Sequence, residues 1–139
     1  MVKPEVKPEV LDKLASLREG LEKLVDIGLD VVVERNLKEA IEEVEHGHNL
    51  ASAMISSRII RYIIDKIPGG RDEEKIENLV QKGLIPRDRK DEQKQLLTAL
   101  RLSRNFLSHR IDISPEVEDT LMLLGGAFKL SKILTKLKN

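Results

Sequence analysis

Asn49-Leu-Ala-Ser-Ala-Met-Ile-Ser-Ser-Arg-Ile-Ile-Arg-Tyr-Ile-Ile-Asp-Lys-Ile67, closed by Pro68-Gly69-Gly70, is the most apolar stretch of the chain. Met54, Ile55, Ile59, Ile60, Ile63, Ile64 and Ile67 make it the central, most buried helix, and the proline and paired glycines stop it firmly. On its N-terminal side His46-Gly47-His48-Asn49 reads as a turn. Before that, Asn36-Leu-Lys-Glu39 resembles a cap-and-return pair that starts or restarts a helix carrying Leu37, Ile41 and Val44. Further back, Val10, Leu14, Leu17, Leu21 and Leu24 recur at alternating spacings of four and three, one apolar stripe of a helix. That stripe continues through Val25, Leu29 and Val32 past a weak point at Gly28. Residues 1–9 repeat Val-Lys-Pro-Glu and form an extended lead-in, with Pro8 suited to a first helical turn.

On the C-terminal side a short helix is expected over about 72–82, with Ile76, Leu79 and Val80 inward and Gly83 as its cap. The loop Leu84-Ile-Pro-Arg-Asp-Arg-Lys90 is strongly basic. The next helix is expected over about 89–107, carrying Leu96, Leu97, Ala99, Leu100, Leu102, Phe106 and Leu107. Ser114-Pro115-Glu116 offers a hydroxyl cap, a proline at the first position and an acid in the first turn. The last helix carries Leu123, Ala127, Leu130, Leu134 and Leu137, and Gly125-Gly126 within it permits close approach of another backbone. No segment reads as a strand. The expectation is an all-α bundle of four to five main helices, a single domain over residues 10–139.

Composition narrows the function classes. With 40% hydrophobic, 35% charged and only 2% aromatic residues, the core must be built from Leu, Ile and Val. Lys+Arg and Asp+Glu are equal at 24 each, so no global positive field draws in nucleic acid, and any RNA site must be a local basic patch. The chain has no cysteine, which excludes disulfides, thiolate zinc sites and a cysteine nucleophile. Its start lacks an apolar signal-peptide core and no apolar run reaches membrane-spanning length, so the reading is cytoplasmic, with no membrane partner.

The chemistry-bearing stretch is Arg104-Asn-Phe-Leu-Ser-His109. Arginine supplies a permanent forked cation for phosphate oxygens, and histidine moves a proton near neutral pH. Five residues along an ideal helix rotate by roughly 500°, leaving the two side chains about 140° apart. They share a site only if the helix unwinds near Leu107–His109. In RNA cleavage the 2′-hydroxyl attacks phosphorus and the 5′-oxygen leaves; a base, an acid and a cation suffice. One chain supplies one histidine here, whereas a two-fold pair supplies two, which suggests a composite site at a homodimer interface.

Arg104, Asn105 and His109, late in the penultimate helix of a small bundle, resemble the Arg-x4–6-His motif of HEPN domains (higher eukaryotes and prokaryotes nucleotide-binding), in which a polar residue such as Asn105 commonly follows the arginine. The resemblance in helix order covers roughly residues 10–138; the motif itself is short. It implies a dimeric, metal-independent endoribonuclease of the toxin or defence type, with no cofactor, in which Arg104, Asn105 and His109 are catalytic. It also implies an antitoxin or nucleotidyltransferase as protein partner, although Ile111 stands where toxins of that pairing often carry tyrosine. The family includes non-catalytic modules that bind a protein partner or a nucleotide, and that alternative stays open.

Other residues complete the picture. Arg101, with Arg87, Arg89 and Lys90, is a candidate basic patch for RNA. Arg58 and Arg61 lie in the apolar central helix and must reach its edge or find partners; they either pair with a Glu of the first helices or line a phosphate cleft with Arg104. His46 and His48 lack a third and fourth ligand at matching spacing, so no metal site is expected. Tyr62, Phe106 and Phe128 are too scattered for base stacking.

Overall fold

The computed structural model describes residues 6–107 and 114–138, and within them every regular element is an α-helix. There are six: α1 (Pro8–Asp26), α2 (Val31–Glu45), α3 (Asn49–Ile64), α4 (Asp72–Gln81), α5 (Lys90–Leu107) and α6 (Val117–Lys138). The all-helical single domain agrees with the sequence pattern, and the helix count exceeds the expected four to five because the first apolar stripe is cut in two.

The cut falls at Gly28. Its backbone adopts φ +98°, a left-handed conformation that glycine takes without the Cβ penalty, and the amide of Leu29 turns back to the carbonyl of Leu24 at 3.0 Å. Leu29 still reaches the core, but Val31 and Val32 are exposed. The following helix is capped by Asp30, whose carboxylate accepts from the amide of Val32 at 2.8 Å. Asn36 is therefore no cap. It sits inside α2 and its amide group donates to the carbonyl of Val32, one turn earlier.

α3 is the centre. It packs against α2, α5 and α6, while α1 lies across α2 and α6, and α4 leans on α5. Ile59, Ile60, Ile63 and Ile64 are buried, and Ile67 follows them into the core from the turn beyond α3. The small residues Ser52, Ala53, Ser56 and Ser57 are fully buried beside them, which lets neighbouring helices approach closely. The Ser52 hydroxyl donates to the carbonyl of Ala40 on α2 at 2.7 Å.

α4 ends as expected: Gly83 at φ +76° closes it, and the Leu84 amide returns to the carbonyl of Leu79. α6, in contrast, starts later than Ser114-Pro115-Glu116 suggests. Its first turn is closed by the Thr120 amide on the Glu116 carbonyl, so Glu116 occupies the cap position and buried Pro115 precedes it. The buried Thr120 hydroxyl lies 3.3 Å from both the Glu116 carbonyl and the carbonyl of Asn49, which joins the start of α6 to the head of α3. Among the described residues no helix is long and apolar enough to cross a membrane.

The paired glycines of α6 play different parts. A Cβ built on Gly126 would stand 2.6 Å from the Cβ of Ala99 on α5, closer than carbon atoms pack, so the Ala99 methyl lies directly against the backbone of α6 there. Gly125 meets nothing within 4 Å. Gly126→Ala is expected to lose about 1–3 kcal/mol through overpacking. Gly125→Ala is expected to hold or gain up to about 1 kcal/mol through helix propensity. Urea midpoints of the two variants check this, and equal midpoints would contradict the close contact.

Candidate functional site

The site grows from the Pro68-Gly69-Gly70 stop. Gly69, at φ +135°, presses against α4, where an added Cβ would meet the Lys75 side chain and amide at 3.0 and 3.1 Å. Lys75 Nζ donates at 2.9 Å to the carbonyl of Ile64, which also accepts the Ile67 amide at 3.1 Å, and Asn78 Nδ2 donates to the carbonyl of Pro68 at 2.6 Å. Glu74 accepts from the Gly70 amide at 3.2 Å. The first two turns of α4 thus clamp the turn that precedes them, and Asp72, the first residue of α4, is carried against α3 and α5.

Asp72 is where two arginines converge. Arg61, near the end of α3, approaches it with Nη2 3.0 Å from Oδ2 and Nη1 3.5 Å from Oδ1. The same guanidinium donates through Nε to the Ser103 hydroxyl at 3.2 Å and through Nη2 to the Leu100 carbonyl at 3.3 Å. Arg104 of α5 places Nη2 3.1 Å from the same Oδ2. Exposure separates the three: the Asp72 side chain is 9% exposed, Arg61 22% and Arg104 61%. Among the described residues, two guanidiniums and one carboxylate leave one positive charge in excess. Chemically this is an anion fork whose inner cation is fixed and whose outer cation faces water.

Arg61 therefore pairs with an aspartate of α4 rather than with a glutamate of the first helices, and it stands with Arg104. Arg101 is exposed one turn before Arg104 on α5, and Asn105 is exposed beside Arg104. Arg58 is exposed on the α2 side of α3, in a shallow cleft with Val32, Asn36 and Tyr62. The basic loop is balanced by carboxylates: Arg87 lies 3.5 Å from Glu77 and Arg89 lies 3.7 Å from Glu92. Lys90 shares a polar hollow with Asp88, Asp91 and Glu92. The hydrogen bond from Lys129, aided by the charges of Lys129 and Arg89 against partial burial, holds the Glu92 carboxyl below its ordinary range. His109 lies outside the described residues, and so does the expected unwinding after Leu107.

The paired histidines are engaged locally. His46 Nδ1 lies 2.7 Å from the Glu42 carbonyl and His48 Nδ1 lies 2.9 Å from Glu43 Oε2. Among the described residues no three His, Cys, Asp or Glu side chains are grouped to hold a metal ion.

Asp72 escaped the sequence reading. Its signal is faint: an acid at the head of a short helix behind a glycine turn, in a chain whose central apolar helix carries arginines needing partners. No family model, curated protein or solved structure matches this chain.

Arg61→Ala strips a buried carboxylate of its main partner and is expected to cost about 2–3 kcal/mol, below the full value for a wholly buried pair because Arg104 remains. Arg87→Ala removes only an exposed pairing and is expected to stay within about 0.5 kcal/mol. Chemical denaturation of both variants provides the comparison; similar losses would mean that Asp72 is not held mainly by Arg61.

Proposed function

We propose that this chain is a HEPN-like, metal-independent endoribonuclease of the toxin or defence type, acting as a homodimer. The observation that carries the reading is Arg104 itself, a guanidinium oriented by a buried carboxylate, with most of its side chain in water, five residues before His109. Arg104 holds the non-bridging oxygens of the scissile phosphate and offsets the charge of the phosphorane. His109 takes the proton of the 2′-hydroxyl as it attacks phosphorus. The same histidine of a second copy protonates the departing 5′-oxygen, leaving a cyclic phosphate and a 5′-hydroxyl. Asn105 orients the phosphate by hydrogen bonding. Arg101 extends the positive surface along α5 for the neighbouring backbone, which suits a protein without net charge, because attraction is then local and weak in salt. An antitoxin or nucleotidyltransferase is the protein partner that accompanies this reading.

A second reading is a non-catalytic helical module. It is favoured by a mostly apolar groove of about 360 Å³ between α1, α5 and α6, lined by Leu17, Leu96, Leu121, Met122 and Gly125 together with Lys13, Gln95, Glu118 and Lys129. Its size falls in the range of ligand pockets.

Incubation of a labelled RNA pool with the protein in EDTA separates the two. Cleavage is expected from the native chain, and none from His109→Ala, whose helical content stays unchanged. Arg104→Ala is expected to lower kcat by about 10²- to 10³-fold, the usual loss for one transition-state donor. Cleavage that survives in His109→Ala overturns the mechanism, and no cleavage by either protein shifts the assignment to the binding module.

A further inference from the structure

We infer that Arg104 is an oxyanion ligand for a phosphate group beside the fixed Arg61–Asp72 pair, and that Asp72 occupies Arg104 in the free protein as a built-in competitor. The inference rests on the reading of Arg104 as a phosphate ligand and adds how that ligand is held in reserve. A carboxylate on a guanidinium fork satisfies the same geometry as two phosphate oxygens. Asp72 Oδ2 is shared, lying 3.0 Å from Arg61 and 3.1 Å from Arg104.

The two contacts are unequal, and that inequality makes exchange cheap. Arg61 meets both oxygens of Asp72 and is further fixed by Ser103 and the Leu100 carbonyl. Arg104 meets Asp72 through Nη2, on a long side chain that is mostly solvated. When a phosphate arrives, Arg104 can turn to it while Arg61 keeps Asp72, so no buried carboxylate is left unpaired. The head of α4, a ten-residue helix beginning at Asp72, adds a partial positive charge beside the same locus. A competitor of this kind lowers affinity for isolated anions, and a polyanion that also engages Arg101 overcomes it more readily than a single phosphate.

The sign of the effect distinguishes this role from a purely structural one. A carboxylate that only docks α4 would, when neutralised, weaken the fold and leave anion affinity unchanged or lower. A competitor, when neutralised, raises anion affinity. The experiment is a titration with inorganic phosphate, followed by NMR of the arginine guanidinium groups in the native protein, Asp72→Asn and Arg104→Gln. In the native protein the Arg104 signal is expected to move and the Arg61 signal to stay. Asp72→Asn is expected to bind about three- to tenfold more tightly at low salt, the range for releasing a partly exposed ion pair. Arg104→Gln is expected to lose the response.

An unresponsive Arg104 in the native protein overturns the inference. So does a folded Asp72→Asn that binds phosphate no more tightly. Should Asp72→Asn not fold, the native protein still decides, because equal movement of Arg61 and Arg104 contradicts a carboxylate retained by Arg61. Phosphate binding without RNA cleavage in EDTA would end the ribonuclease reading and leave this inference standing, and cleavage without tightening in Asp72→Asn would do the reverse.

Discussion

A permanent charge near the end of the most buried helix is the constraint around which this structure is arranged. Arg61 belongs to α3, whose isoleucines pack on three sides, and a guanidinium there must be met by acceptors or be lost to water. The acceptors come from two other elements. Asp72 arrives on α4, and Ser103 and the Leu100 carbonyl arrive on α5. The short helix α4, whose Ile76, Leu79 and Val80 are buried in the core, is further pinned to the bundle by a partly buried ion pair and by the clamped Pro68-Gly69-Gly70 turn. Arg104 joins this arrangement from outside, and its position follows from the charge already buried beneath it.

The apolar packing supplies the frame in which those contacts occur. Leu and Ile side chains fill the core with almost no aromatic residues, so helices meet through small residues rather than through large rings. Ser52, Ser56 and Ser57 on α3 and Gly126 on α6 are the points of closest approach or full burial. At Gly126 the contact with Ala99 fixes the separation of α5 and α6, and Lys129 on Glu92 ties the same two helices near the start of α5. Arg18 of α1 closes on Glu45 at the end of α2, and the shared hydrogen bond raises the already high pKa of that guanidinium. Ion pairs of this exposed type add little stability each, so the core remains the principal source of cohesion.

Electrostatics then separate two kinds of basic residue in a chain with no net charge. Arg87 and Arg89 face carboxylates close in sequence, and the loop that carries them is nearly self-neutralised. At the C-terminal end of α5, by contrast, Arg61 and Arg104 share the carboxylate of Asp72, with Arg101 exposed one turn earlier on α5, and the negative end of the α5 dipole favours cations there. The excess charge is small, local and mostly presented by Arg104. Such a site suits recognition of individual phosphates within a larger ligand and gives little long-range attraction.

The helical content, the buried face of α3, the Gly83 cap and the close approach at Gly126 were all legible in the residues, because periodicity and turn chemistry act between neighbours three to five positions apart. The division of the first stripe was not. Gly28 looked like a weak point inside one helix, and only the backbone reversal there, followed by the Asp30 cap, made it an end. The sequence by itself determined that arginines on an apolar helix needed partners and that Arg104 stood at the close of an amphipathic helix. Tertiary structure alone decided which partner they share: Asp72 reaches Arg61 and Arg104 because α3, α4 and α5 fold together, and no local pattern encodes an ion pair between residues on different helices.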